Sequence, residues 1–206
     1  MFANPVLAVL AALTVFLCPE SIQAAEPKNF RDLIFASEPL KPIDSELKIK
    51  IGDVAPDFIL PSIQGEKVQL SQFRGRKNVV LSFVPAAWTP VCSDQWPGYV
   101  FARHLFEAQE AIILGITVDN IPTLYAWTRQ MGEVWFPILS DFWPHGDVAD
   151  TYGVLRNDGT TERALVIIDK QGVIRNIKVE DINVRPPLDF IVTSLIRINK
   201  KKGGTE

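Results

Sequence analysis

One cysteine stands where a strand-like segment gives way to a helix-like segment. Residues 79–84 form an apolar, β-branched run that is typical of a buried strand, and the run stops at Pro85. Cys92 follows after a short loop, where a helical pattern begins. Because a cysteine at a helix N-terminus faces backbone N–H groups and the positive end of the helix dipole, that position favours the thiolate. The pattern predicts a reactive thiol at Cys92, with a buried inert cysteine as the alternative.

Thr89 lies three residues before Cys92 and offers a hydroxyl that is able to donate to the thiolate. The resulting spacing, Pro85-x-x-x-Thr89-x-x-Cys92, resembles the active-site signature of the peroxiredoxins, the AhpC/TSA family of thiol peroxidases. Residues 52–58, GDVAPDF, are similar to the G-x-x-A-P-D-F opening of that family. The resemblance extends over roughly residues 49–180 and implies a thioredoxin-like fold.

The resemblance also implies a role for Arg163, which precedes an aliphatic run ending in I-D-x-x-G at Gly172. An arginine at this place reaches the thiolate in the family pattern, and a guanidinium suits the task because it stays charged and offers several donors in a rigid fork. A surface arginine at a strand edge is the alternative. Pro85 is implied to shield the thiolate from solvent, which is compatible with its ending the strand. Gln95 departs from the family, since many members carry Glu there, and the change removes a charge beside the arginine.

Composition narrows the class of protein. The chain has 206 residues, 47% of them apolar, which predicts one domain with a sizeable core. A formal net charge of −3 argues against a nucleic-acid partner, and Lys200 to Lys202 form the only basic run. His104 and His145 are isolated in sequence, so no metal is expected, and no haem or flavin is needed.

The N-terminal residues differ in composition from the rest. Residues 6–17 are nearly all apolar, a stretch too short to span a bilayer as a helix, and small residues follow at Ala24 and Ala25. These features predict a signal peptide over residues 1–24 and an exported, periplasmic protein, with an uncleaved membrane anchor as the alternative. Cleavage after Ala24 would remove Cys18 and leave Cys92 as the single cysteine, so that no intramolecular disulfide is possible.

The remaining chain divides into an arm at 25–48, a domain at 49–200 and a tail at 201–206. The arm is expected to pack outside the core or to form an oligomer contact. Within the domain the pattern first predicts a hairpin around Gln64-Gly65 and, after the strand that leads to Cys92, one helix over 93–108. Strands follow at 111–118 and 136–141, with a helix that starts at Pro122 between them. A second hairpin at 164–179 and a last helix at 187–198 complete the domain. Strands alternating with helices indicate an α/β protein with a mixed central sheet flanked by helices.

These observations predict a thiol peroxidase that reduces hydrogen peroxide or alkyl hydroperoxides through a Cys92 sulfenic acid. Because no second cysteine remains, an external thiol, either a thioredoxin-like protein or a small thiol, is expected to recycle it. The resemblance implies a homodimer. A redox-responsive binding protein with little turnover is the alternative, while a thiol–disulfide exchange protein is disfavoured by the absence of C-x-x-C. Three tryptophans are expected in the core or beside an apolar substrate: Trp88, Trp127 and Trp143.

Overall fold

The computed structural model describes residues 29–36 and 38–202, with side chains described as far as 200. The predicted signal peptide and Cys18 lie outside the described residues. The strands are β1 (Ile59–Pro61), β2 (Lys67–Gln69), β3 (Asn78–Phe83), β4 (Ala111–Thr117), β5 (Ile138–Ser140), β6 (Arg163–Ile168) and β7 (Ile174–Glu180). The helices are α1 (Cys92–Phe101), α2 (Arg103–Glu107), α3 (Ile121–Gln130), α4 (Asp147–Tyr152) and α5 (Leu188–Lys202).

A five-stranded mixed sheet forms the centre, in the order β5-β4-β3-β6-β7. Strand β3 pairs parallel with β4 and antiparallel with β6, and β6 pairs antiparallel with β7. Every residue of β3 and β6 is buried, because apolar clusters cover both faces of the sheet. The α/β architecture with a mixed sheet flanked by helices, expected from the alternating pattern, is confirmed.

Both predicted hairpins are present, since β1 pairs antiparallel with β2 and β6 with β7. The single helix expected over 93–108 is wrong. It is divided into α1 and α2 at Ala102, whose φ of −88° and ψ of 10° leave the helical region. Phe106, beyond the break, packs against Tyr99 and Trp135 with ring centroids 6.0 and 5.6 Å apart. Helix α4 was not expected from the sequence, and α5 is longer than predicted.

Among the described residues of the arm, 29–36 and 38–48, Phe30–Leu33 form a 3-10 turn and the others have no regular structure. It packs closely on the end of α4, where Lys48 N–H donates to the Tyr152 carbonyl at 3.3 Å. Gly153 follows with a φ of 72°, and a Cβ there would collide with the backbone of Glu46 and Lys48. These contacts place this part of the arm against the outside of the domain. Within residues 29–36 and 38–202, no helix combines the length and the apolar character needed to cross a membrane.

Candidate active site

Cys92 is the first residue of α1, at the position the sequence predicts. Strand β3 ends at Phe83, and residues 84–91 form the loop that carries the chain to the helix, which we call the active-site loop. The thiol is free and fully buried, in an apolar cluster that includes Val84, Trp96 and Trp127. A peroxide therefore reaches the sulfur only when the surrounding walls move.

Arg163 is the first residue of β6, next to β3, and its side chain is 2% exposed. Its three donor nitrogens point in different directions. Nη2 donates to Cys92 Sγ at 3.5 Å, and Nη1 donates to Gln95 Oε1 at 2.7 Å. Nε donates to the carbonyl of Ile182 at 3.0 Å. The arginine is therefore not at the surface, which was the alternative interpretation, and it lies against the thiol.

The charge of this guanidinium is not balanced by an acidic residue. In the described part of the chain, no carboxylate lies within ion-pairing distance of Arg163. A buried charge costs free energy unless a partner compensates it, and an arginine does not lose its proton in a protein. The geometry places the Cys92 sulfur 3.5 Å from Nη2 of this cation, where a thiolate would be its counter-charge. The pair is arranged to hold a nucleophilic sulfur beside a fixed cation.

Gln95 connects the arginine to the interior. While its Oε1 accepts from Arg163, its Nε2 donates to Tyr99 Oη at 3.1 Å and to Ser82 Oγ at 3.2 Å. Burial raises the pKa of Tyr99 to about 12, so this hydroxyl stays protonated over the physiological range. Because two hydroxyls take the amide hydrogens, the carboxamide is oriented with its oxygen toward the guanidinium. Neither Tyr99 nor Ser82 was identified from the sequence, although the i, i+4 spacing of Gln95 and Tyr99 on α1 was a usable signal.

The other two predicted site residues lie in the active-site loop. Pro85 is buried two residues after the end of β3. The Thr89 hydroxyl donates to the Ala86 carbonyl at 2.9 Å rather than to Cys92, and the Thr89 carbonyl accepts from Ser93 N–H at 3.0 Å. In this structure Thr89 closes the loop onto the first turn of α1. Its hydroxyl has a lone pair and a rotatable proton with which to contact a bound peroxide.

The three tryptophans have different surroundings. Trp127 is buried and donates to Ser93 Oγ at 3.1 Å, while Trp88 is partly buried beside the cluster that holds Cys92. Trp143 is 84% exposed, so the expectation that it packs in the core is wrong. His104 and His145 are both exposed. Across residues 29–36 and 38–202, no group of three or more His, Cys, Asp or Glu side chains is placed to hold a metal ion.

Comparison with known proteins gives a consistent result. Residues 51–177 match the model of the AhpC/TSA family. Alkyl hydroperoxide reductase E of Mycobacterium tuberculosis is 38% identical over 128 residues, which are 62% of this chain and 83% of that protein. Peroxiredoxin-2 of Mus musculus is 34% identical over 150 residues, 68% of this chain and 74% of that protein.

The fold comparison agrees. The reduced 2-Cys peroxiredoxin of Plasmodium vivax superposes with a TM-score of 0.70 at 27% identity, covering 75% of this chain and 84% of that one. The family match spans more than half of the chain, and it contains β3, the active-site loop, Cys92 and Arg163. The chain therefore belongs to the AhpC/TSA family, the peroxiredoxins, and is a thiol peroxidase.

Proposed function

We propose that Cys92 is the residue that reduces the peroxide, and that the enzyme works without a resolving cysteine of its own. The contact that carries the proposal is the 3.5 Å approach of Arg163 Nη2 to Cys92 Sγ, made by a buried guanidinium. The substrate is hydrogen peroxide or an alkyl hydroperoxide, in keeping with the name of the mycobacterial relative, alkyl hydroperoxide reductase E.

In the first step the Cys92 thiolate attacks the terminal oxygen of the peroxide. An S–O bond forms, the O–O bond breaks, and the sulfur loses two electrons to become a sulfenic acid. The second oxygen leaves as hydroxide or alkoxide and takes up a proton to become water or an alcohol. Arg163 is aimed at the charge that develops on this leaving oxygen, which is electrostatic preorganisation in a dry site.

In the second step an external thiol attacks the Cys92 sulfenic acid, water leaves and a mixed disulfide forms. A second external thiol then releases Cys92. In the described residues Cys92 is a free thiol, which supports a reductant from outside the chain, either a thioredoxin-like protein or a small thiol. We also propose that the enzyme is exported to the periplasm, supported by the apolar segment 6–17, and that it forms a homodimer.

The test is intact-mass analysis after one equivalent of hydrogen peroxide in the presence of a sulfenic-acid trap. The wild-type protein is expected to gain the trap on Cys92 within seconds, whereas the Cys92→Ser variant gains nothing. Excess thiol added with excess peroxide should then give repeated turnover. A single oxidation without turnover would instead identify a redox sensor, and a Cys92 that stays reduced for minutes would contradict both functions.

A further inference from the structure

The position of Arg163 depends on a carbonyl outside the sheet. Its Nε donates to Ile182, which lies in the connection of residues 181–187 between β7 and α5. Ile182 is buried but belongs to no strand, so no sheet hydrogen bonds hold it. The Ile182 carbonyl and Gln95 are the two contacts that orient the planar guanidinium toward Cys92, so the direction of Nη2 depends on where this carbonyl lies.

The arm holds that connection in place. Ile182 N–H donates to the Pro42 carbonyl at 3.1 Å. The next residue, Asn183, makes a two-way contact in which its Nδ2 donates to the Leu40 carbonyl at 2.9 Å and its Oδ1 accepts from Leu40 N–H at 3.1 Å. A paired contact of this kind fixes both the distance and the direction between the two residues. The Asn183 carboxamide is the only side chain in the contact, because Leu40 takes part through its backbone.

The arm is itself anchored beside Arg163. Arg156 Nη2 donates to the Lys41 carbonyl at 2.8 Å, and Asp44 N–H donates to Glu162 Oε1 at 2.6 Å. Arg156 and Glu162 form an ion pair at 2.7 Å in which both side chains are almost completely buried. Since Glu162 directly precedes Arg163 in β6, the contacts close a ring that runs from Arg163 through the connection and the arm and back to Arg163.

This ring includes chain outside the family match. The match covers residues 51–177, whereas Leu40, Pro42, Ile182 and Asn183 all lie beyond its ends. We propose that Asn183 is a positioning residue for the peroxidase reaction, which acts through Ile182 to direct the Arg163 guanidinium at the reacting oxygen. The inference rests on the proposed function of Cys92 and Arg163.

The experiment compares two reagents on the full chain with Asn183→Ala. Both reagents react with the Cys92 thiolate, so each rate is taken from the upper plateau of its pH profile, where the thiol is ionised. There hydrogen peroxide still needs the guanidinium at its leaving oxygen, whereas iodoacetamide does not. We expect Asn183→Ala to lower the rate of Cys92 oxidation about tenfold and to change the alkylation rate less than about twofold, because small misplacements of a catalytic group cost large factors in rate. The side chain is exposed, so the variant is expected to fold.

Two controls make the result specific. Ser45→Ala removes another arm contact, the hydrogen bond to the Gly153 carbonyl, but lies outside the ring, and should leave both rates unchanged. When Arg163 is already replaced by Met, adding Asn183→Ala should lower the oxidation rate by less than about a further twofold, because the two residues act through one interaction.

Equal losses with both reagents, or an undiminished effect of Asn183→Ala in the Arg163→Met background, would overturn the positioning role. A wild-type protein that peroxide does not oxidise would reject the proposed function itself, so the two failures are distinguishable. Oxidation of the wild type with no effect of Asn183→Ala would reject the positioning role alone.

Discussion

At the scale of single residues, Gln95 decides the electrostatics of the site. Its carboxamide contacts Arg163 without a charge, so the guanidinium faces the Cys92 sulfur and a neutral amide rather than a carboxylate. The charge of the guanidinium is balanced only while the sulfur is an anion. The neutral amide nevertheless keeps the guanidinium in place, because Tyr99 and Ser82 orient it.

Replacing Gln95 with Glu is expected to speed the oxidation of Cys92 several-fold, because a charge-assisted hydrogen bond to Arg163 is about twice as strong as a neutral one and fixes the guanidinium more firmly. The rate is measured by stopped-flow tryptophan fluorescence at increasing peroxide concentration. Gln95→Leu, which removes the contact without adding charge, should be slower than wild type. A slower Gln95→Glu would mean that the unopposed positive field matters more than the orientation of the guanidinium.

At the scale of elements, the active-site loop is held in an unusual conformation. Trp88 has a φ of 63°, a region that costs a non-glycine residue about 1–2 kcal/mol. The arm stabilises this conformation, since Phe35 N–H donates to the Trp88 carbonyl at 2.7 Å and the Phe30 ring lies 6.2 Å from the Trp88 ring. The arm thus contacts the site from two sides, at the loop and at Ile182.

Phe35→Pro removes the donor to Trp88, and Ile34 already has the extended backbone that a residue before proline prefers. Losing the hydrogen bond should destabilise the observed conformation of the active-site loop by about 1 kcal/mol. Because Cys92 is buried behind that loop, we expect its alkylation by iodoacetamide to become several-fold faster. Phe35→Ala keeps the N–H group and should alkylate like wild type. Equal behaviour of the two variants would show that the hydrogen bond does not hold the loop.

At the scale of the whole molecule, one buried ion pair joins the arm to the domain. Arg156 and Glu162 are 2% and 0% exposed; backbone groups of Lys41 and Asp44 form hydrogen bonds with them, and Asp158 lies 3.5 Å from Arg156 Nε. Such a pair adds little net stability compared with apolar residues, but removing one partner leaves a buried charge without compensation. Arm and domain are therefore expected to unfold together.

Glu162→Gln is expected to lower the free energy of unfolding by up to about 3–5 kcal/mol, because Arg156 then keeps only its longer contact with the partly exposed Asp158, at 3.5 Å. Urea denaturation monitored by tryptophan fluorescence gives the value. The control is Glu107→Gln, which breaks the exposed pair with Arg103 on α2 and should cost only about 0.3–0.5 kcal/mol. Similar losses in the two variants would show that the buried pair does not join arm and domain.

Most of the local elements, and the family, could be predicted from the sequence. Because periodicity is a local property, neighbouring residues were enough to predict the strand before Pro85, the helix start at Cys92 and the hairpin after Arg163. The helix break at Ala102 and the short helix α4 were not, because their patterns are weak over so few residues.

The surroundings of the thiol, by contrast, depend on contacts between distant parts of the chain. Cys92 and Arg163 are 71 positions apart, and the sheet pairing of β3 with β6 brings them together. The family resemblance anticipated that contact, but no local pattern indicates which backbone carbonyl receives the arginine Nε or where an irregular arm packs. Those contacts join residues more than a hundred positions apart, such as Leu40 and Asn183. Packing over such separations does not produce a periodic pattern in the sequence.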